Sequence, residues 1–326
     1  MFSKIRFWLE CSRWYALPMT IFSWLIVFCY GMKNNGNLWY GIIALFGICF
    51  AHLATNLFDD FCDYHKLDKI TDPNNNIILP NTQRGKCRYI TEDKVKLSEV
   101  LTVVSLYSFL ALLIGLFFYF IWGKDILIFA GIGALIIFGY SFCSYIRLSE
   151  LAVGLAFGPL LFTGTYYAMT GEMSLDALIL SLPSMFFTVN LIYTDTFLDK
   201  EIDKQENKKT LVNSFSSDDK ALDFQKTLIF WGYFSVLFLP VLDIADWEIF
   251  AVLLTVPLAI DLFKSLKIYS NDTSATPEKK WYHFPFEAWE DIKNNRSETF
   301  MFRMYQARNL MIYNSIIIAT AIWLNY

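Results

Sequence analysis

Long apolar stretches alternate with polar segments along most of the chain. A helix of about 20 apolar residues crosses the hydrocarbon core of a bilayer, which is roughly 30 Å thick, and these stretches reach or approach that length. They predict nine transmembrane helices, at about residues 15–33, 38–58, 97–121, 125–146, 150–170, 175–197, 226–244, 247–265 and 308–325. We therefore expect residues 1–326 to form one all-α, polytopic membrane domain.

The positions of Lys and Arg predict the orientation of these helices. Basic residues concentrate before the first predicted helix and after the second, fourth, sixth and eighth, and cytoplasmic loops carry such an excess. The N-terminus and the large polar loops should then be cytoplasmic, and any active site built from those loops should face the cytoplasm. The protein is expected to be a multi-pass protein of the inner (cytoplasmic) membrane. The main cytoplasmic segments are residues 1–14, 59–96, 198–225 and 266–307; no motif assigns a role to the last of them.

Composition narrows the class of protein further. The chain is 55% hydrophobic and 18% charged, which is too apolar for a soluble enzyme of this length. A net charge of −4 gives no indication of a nucleic-acid partner, and no obligate protein partner is implied. The six cysteines form no CxxC pair, so we interpret them as small apolar residues.

The predicted helices fall into two sets of four, followed by one further helix. Each set has a large polar loop after its second member, and each loop begins with carboxylate or amide residues that share a helix face. These residues are Asn56, Asp59, Asp60 and Asp63 in the first half and Asp195, Asp199 and Asp203 in the second. The pattern suggests a distant internal duplication.

Carboxylates crowded at a helix C-terminus repel one another and the negative end of the helix dipole. A cation between the two clusters would relieve this repulsion. Carboxylate and amide oxygens suit Mg²⁺, which is commonly shared with phosphate oxygens, so a diphosphate bridged to the protein by Mg²⁺ fits the ligand set. A merely solvated helix end is the alternative for either cluster alone, but two clusters at matching places favour the metal site.

Basic residues follow each acidic cluster and could hold the phosphate oxygens that Mg²⁺ leaves uncovered. They are Arg84 and Lys86 after the first cluster and Lys208 and Lys209 after the second. The alternative for each is that it only marks the cytoplasmic side. Tyr140, Ser141 and Tyr193 are polar and close to cytoplasmic helix ends, which makes them candidates for contacting a second substrate.

The segments "NLFDDFCD" and "DTFLDKEID" resemble the two aspartate-rich motifs of the UbiA superfamily of intramembrane aromatic prenyltransferases. "LSELAVGLAFGPLLFTGTYYAMTG", "KKTL" and "RGKCRYIT" are similar to the branch that prenylates 1,4-dihydroxy-2-naphthoate. Many relatives carry Asn where this chain has Asp59, and commonly Asn where it has Asp195.

The resemblance implies Mg²⁺-dependent transfer of a polyprenyl group from its diphosphate to an aromatic acceptor, with release of diphosphate and CO₂, in menaquinone biosynthesis. It implies catalytic roles for Asp60, Asp63, Asp199 and Asp203, with Asn56 assisting in metal binding. Other acceptors of the superfamily, namely 4-hydroxybenzoate, haem or a sugar phosphate, stay open. An ion-coupled transporter is the alternative of another class; it predicts acidic residues near the bilayer midplane.

Overall fold

The computed structural model describes residues 2–67, 88–91, 94–205, 208–275 and 277–324. Those residues form α-helices joined by short 3₁₀ and π turns, without a β-strand among them. The helices are α1 (Phe2–Cys11), α2 (Pro18–Lys33), α3 (Leu38–Leu67), α4 (Arg88–Thr91), α5 (Leu97–Trp122), α6 (Ile126–Cys143), α7 (Ser149–Leu155), α8 (Leu161–Thr170), α9 (Leu175–Leu198), α10 (Lys200–Gln205), α11 (Asp218–Phe238), α12 (Val256–Asn271), α13 (Trp289–Asn294) and α14 (Glu298–Leu324).

Eight helical segments within the described residues are long and apolar enough to cross a membrane. One of them, residues 97–143, is 47 residues long, which as a single helix would measure about 70 Å, twice the thickness of a bilayer core. A 3₁₀ turn at Gly123–Asp125 divides it into α5 and α6, and Gly123 adopts a φ of 78° that favours glycine. The segment therefore supplies two crossings, and the expectation of an all-α, polytopic membrane protein is confirmed.

The outer surface agrees with a lipid environment. Large apolar side chains project outward from α5 and α6, with Phe120 83% and Leu135 74% exposed. Such a continuous apolar surface is unfavourable in water and favourable against lipid chains. Few side chains of α5 and α6 are buried inside the protein. Their outward faces are suited to contact with lipid.

Several helix ends differ from the prediction. α3 continues to Leu67 instead of ending near residue 58, and α14 begins at Glu298, ten residues before the predicted start. Hydrophobicity marks only the part of a helix that lies in lipid, whereas the hydrogen-bonded helix continues into the polar region. The predicted loop 266–307 accordingly contains the end of α12, all of α13 and the start of α14.

The span at residues 149–170 is kinked in its middle. Between α7 and α8 the chain forms a π turn at Ala156–Leu160, where Gly158 has non-helical dihedral angles and Pro159 lacks an N–H. The Ser184 hydroxyl on α9 donates to the carbonyl oxygen of Phe157 at 3.3 Å. A polar side chain from the neighbouring helix thus satisfies a carbonyl at the kink.

Two packed clusters place the N-terminal segment beside the acidic end of α3. The main core joins α2, α9, α11, α12 and α14. A smaller cluster contains Cys11, Leu57 and Tyr89, and the rings of Phe7 and Trp8 pack against it. α1 and α4 are therefore fixed against the end of α3 that carries the first acidic motif.

Candidate functional site

The first acidic motif lies on the last turns of α3 and is largely buried. Asp59, Asp60 and Asp63 are 6%, 0% and 8% exposed. The Arg13 guanidinium donates to Asp60 Oδ1, and its Nη2 lies 3.9 Å from Asp59 Oδ2. Tyr89 donates its hydroxyl to Asp60 Oδ2 at 3.1 Å. A cation and a phenol therefore balance carboxylates whose burial would otherwise be costly.

Arg13 reaches this position from the turn between α1 and α2. Its φ of 57° and ψ of 49° lie in the left-handed region, which costs a non-glycine residue about 1 kcal/mol or more. The backbone hydrogen bonds on either side, from Arg13 N to Glu10 O and from Ala16 N to Arg13 O, hold the turn in this conformation. Packing of α1 thus stabilises a strained turn that aims the guanidinium at the motif.

The second acidic motif spans a break between two helices. α9 ends at Leu198, and Asp199 has a φ of −98° and a ψ of 8°, after which α10 begins at Lys200. The prediction that Asp195, Asp199 and Asp203 share the face of one continuous helix was therefore wrong. The Asp203 N–H donates to the Asp199 carbonyl at 2.9 Å, so the two residues stay adjacent across the break.

Lys208 links the two motifs, since its backbone N–H donates to the Asp203 carbonyl at 2.8 Å and its side chain forms an ion pair with the first motif. Lys208 Nζ, from the segment after α10, lies 3.3 Å from Asp63 Oδ2, and each of these side chains is 11% exposed. The segment after the second motif therefore contacts the first motif through Lys208.

Of the other predicted phosphate ligands, only Lys209 lies among the described residues. Lys209 is exposed, and its backbone N–H donates to the Ser144 carbonyl at 2.8 Å, so only the backbone of this residue has a defined contact. Arg84 and Lys86 lie outside the described residues. Asn56, a predicted metal ligand, uses its Nδ2 to donate to the Ser12 carbonyl at 3.0 Å, which again ties the N-terminal segment to α3.

The three candidates for the acceptor site have different contacts. Ser141 is 1% exposed and donates to Asp59 Oδ1 at 3.0 Å, so it belongs to the first motif. Tyr140 packs against the main core. Tyr193 is fully buried and donates to the Ala221 carbonyl at 2.7 Å, which fastens α9 to α11. A role in holding an acceptor stays a prediction for all three.

The thiol of Cys11, on α1, is buried beside the first motif. Burial, together with the negative charge of Asp60, raises the pKa of Cys11 to about 12. The thiol is therefore neutral at physiological pH and packs as an apolar group within the cluster around α1. This agrees with the interpretation of the cysteines as small apolar residues.

Three side chains at the site were missed by the sequence reasoning. Arg13 was counted only among the residues that mark the cytoplasmic side, while Tyr89 and Glu150 lie in the quoted segments "RGKCRYIT" and "LSELAVGLAFGPLLFTGTYYAMTG" but were assigned no role. Glu150 is 2% exposed and contacts the segment after the second motif, where its Oε1 accepts from the Leu211 N–H at 3.1 Å. No local pattern identifies such residues, because distant parts of the chain bring them to the site.

The donor set fits a hard divalent cation, although no three Asp, Glu, His or Cys side chains of the described residues converge as ligands of one ion. Mg²⁺ usually takes one or two carboxylates and completes its shell with water and phosphate oxygens. Each motif supplies at least that many carboxylate oxygens. The Arg13 contact shows that this pocket already accommodates positive charge.

Comparison with known proteins identifies the family. The sequence pattern of the UbiA prenyltransferase family matches residues 16–289. The chain belongs to this family. It is a polytopic membrane prenyltransferase, and its aspartate-rich motifs lie at the helix ends described above.

Solved structures of the UbiA fold resemble the chain over nearly its full length. A digeranylgeranylglyceryl phosphate synthase is 17% identical, with 99% of each chain covered and a TM-score of 0.60. A UbiA homologue from Archaeoglobus fulgidus bound to DMAPP and Mg²⁺ is 16% identical, covering 93% of this chain and 98% of its own, with a TM-score of 0.56. An apo homologue from Aeropyrum pernix K1 is 14% identical, covering 94% and 97%, with a TM-score of 0.57. No curated protein sequence matches the chain.

Proposed function

We propose that the chain transfers a polyprenyl group from polyprenyl diphosphate to 1,4-dihydroxy-2-naphthoate, in a Mg²⁺-dependent reaction of menaquinone biosynthesis. The observation that supports the proposal is the ion pair between Asp63 of the first motif and Lys208, five residues after the second motif, in a chain of the UbiA prenyltransferase family. The Archaeoglobus fulgidus homologue, bound to DMAPP and Mg²⁺ in one structure and to GPP and Mg²⁺ in another, supports the choice of metal and donor substrate.

In this proposal Asp60, Asp63, Asp199 and Asp203 hold Mg²⁺, with Asp59, Asp195 and Asn56 beside them. Bound Mg²⁺ would withdraw negative charge from the diphosphate as the allylic C–O bond weakens. The requirement for two motifs follows from the size of the leaving group, because a diphosphate offers oxygens to both sides at once.

The basic residues of the site would hold the diphosphate itself. The Arg13 guanidinium now lies against the first motif and Lys208 bridges both motifs, so each can exchange a carboxylate for a phosphate oxygen with little movement. Both are charged donors, which form the stronger class of hydrogen bond to phosphate. Arg84, Lys86 and Lys209 are further candidates for the same role.

The transfer follows from loss of the diphosphate. The allylic C–O bond breaks with its electron pair going to the diphosphate, and the resulting cation is captured by the ring carbon that carries the acceptor's carboxylate. That carboxylate leaves as CO₂ and returns its bonding pair to the ring. Ser141, fixed to Asp59, and the neighbouring Tyr140 are the candidates nearest to the first motif for orienting the acceptor.

Resemblance of Leu148–Gly171 and of the "KKTL" segment to one branch is what supports the naphthoate as acceptor. The structural neighbour that synthesises digeranylgeranylglyceryl phosphate shares the fold alone, so it leaves the acceptor open. An ion-coupled transporter is disfavoured because the acidic residues lie at helix ends and are paired across the two halves.

A panel of acceptors tests the proposal. Purified protein in nanodiscs is incubated with radiolabelled polyprenyl diphosphate, Mg²⁺ and one acceptor, either 1,4-dihydroxy-2-naphthoate, 4-hydroxybenzoate or a prenylated glyceryl phosphate. The expected result is a prenylated naphthalene product with one CO₂ released per transfer. Product with another acceptor alone would retain the chemistry and overturn the menaquinone role.

A further inference from the structure

The segment that carries Lys208 is held in place from the junction between α6 and α7. The Lys209 N–H donates to the Ser144 carbonyl at 2.8 Å, and the Leu211 N–H donates to Glu150 Oε1 at 3.1 Å. Two successive anchors therefore fix the backbone immediately after Lys208. The second anchor is the side chain of Glu150, so a substitution can remove it.

Glu150 is a buried carboxylate that accepts hydrogen bonds from three directions. Besides the Leu211 N–H, it accepts from the Ser149 hydroxyl at 2.8 Å and from the Thr196 hydroxyl at 3.4 Å, and it is 2% exposed. No ion pair with a described Lys or Arg involves it. Burial of a carboxylate without a cation is unfavourable unless hydrogen bonds compensate.

The helix dipole accounts for only part of this arrangement. Glu150 lies in the first turn of α7, where a negative charge is favourable. A solvent-exposed side chain would gain the same benefit without the cost of burial. Glu150 instead points inward, between Thr196 of the second motif and the segment that follows it.

We propose that Glu150 is a positioning residue that fixes the backbone of residues 208–211 so that Lys208 faces Asp63 and the diphosphate. This inference rests on the proposed function. Glu150 affects diphosphate binding through this backbone and does not itself contact the substrate. The length of its side chain, which reaches the Leu211 N–H, is the property that matters.

Two conservative variants separate length from charge. Glu150→Asp keeps the charge but is one methylene too short to reach Leu211, whereas Glu150→Gln keeps the length and an acceptor oxygen. A tenfold loss of affinity corresponds to about 1.4 kcal/mol, which is the size expected when one hydrogen bond to a charged group is lost. We expect Glu150→Asp to bind inorganic diphosphate, in the presence of Mg²⁺, about tenfold more weakly, and Glu150→Gln to bind within about twofold of the unaltered protein.

Calorimetry on the full-length protein in detergent measures these affinities, and Ser149→Ala is the matched control. That variant removes one hydrogen bond to the same carboxylate and leaves the Leu211 contact intact, so its affinity should be unchanged. Weak binding by Glu150→Gln together with normal binding by Glu150→Asp would show that charge alone matters and would overturn the proposal.

A double-mutant cycle tests whether the effect passes through Lys208. If Glu150 acts by placing Lys208, then Glu150→Asp adds no further loss in a Lys208→Met background. Additive losses would overturn the inference while leaving the proposed function standing. If the unaltered protein binds no diphosphate, the proposed function fails, and this inference fails with it.

Discussion

Replacing Arg13 by Met removes the cation that is paired with the first acidic motif. Breaking a buried ion pair by deleting one partner typically costs about 3–5 kcal/mol. Asp60 is fully buried, but the Arg13 side chain is 23% exposed and Tyr89 still donates to Asp60 in the variant. We therefore expect a smaller loss of stability for the metal-free protein, about 2 kcal/mol.

This substitution should increase the stabilisation by Mg²⁺ and weaken the binding of the donor substrate. Arg13 competes with Mg²⁺ for Asp59 and Asp60, so its removal should make added Mg²⁺ more stabilising than it is for the unaltered protein. The diphosphate loses one charged donor, and its KM should rise by about tenfold, as expected for one charge-assisted hydrogen bond.

Thermal unfolding in detergent, followed by tryptophan fluorescence in EDTA and in Mg²⁺, measures the first effect, and steady-state kinetics measures the second. Arg6→Met is the matched control, because Arg6 and Glu10 form an exposed pair with side chains 84% and 53% exposed. An equal gain from Mg²⁺ in Arg13→Met and in the unaltered protein would refute the idea that Arg13 and the metal share these carboxylates.

Three further outcomes are expected. Asp63→Asn should lower the transfer rate by about a hundredfold or more, whereas Asp176→Asn, at the opposite end of the membrane on α9, should leave it unchanged in the same radiolabel assay. Gly171→Ala should lower the unfolding temperature, because Gly171 has a φ of 77° and an added Cβ would collide with Trp122. Burial lowers the pKa of His283 below its ordinary value, although the Asp261 carboxylate 3.0 Å away opposes this shift; the folded protein therefore binds this proton less readily than the unfolded chain. Stability should therefore decrease as the pH falls below about 6.5, where the unfolded chain begins to bind the proton, and His283→Phe should remove that dependence in a series of melts at different pH.

Much of the site could be predicted from the sequence because spacing alone carried the signal. Asn56, Asp60 and Asp63, at i, i+4 and i+7 in "NLFDDFCD", lie on one face of any helix, and all three do lie on α3. Lys208 was identified as one of the cations that follow the second motif.

The remaining features depend on contacts between distant segments. Arg13 reaches Asp60 because α1 packs on α3, and no local pattern predicts the left-handed turn that directs it. The spacing of Asp195, Asp199 and Asp203 continues through the break at Asp199, so periodicity predicted an unbroken helix where the structure has two. Glu150 reads in the sequence as an ordinary helix-start carboxylate, and only the fold brings Leu211 to it.

The most direct test of the account is prenyl transfer by Asp60→Asn and Asp199→Asn, each measured with radiolabelled polyprenyl diphosphate in Mg²⁺ and in EDTA beside the unaltered protein. The account predicts Mg²⁺-dependent product from the unaltered protein, no product in EDTA, and loss of activity by about a hundredfold or more in both variants while they remain folded. Transfer that persists in EDTA, or that survives either substitution, would contradict the claim that the two aspartate motifs act together on a Mg²⁺-bound diphosphate.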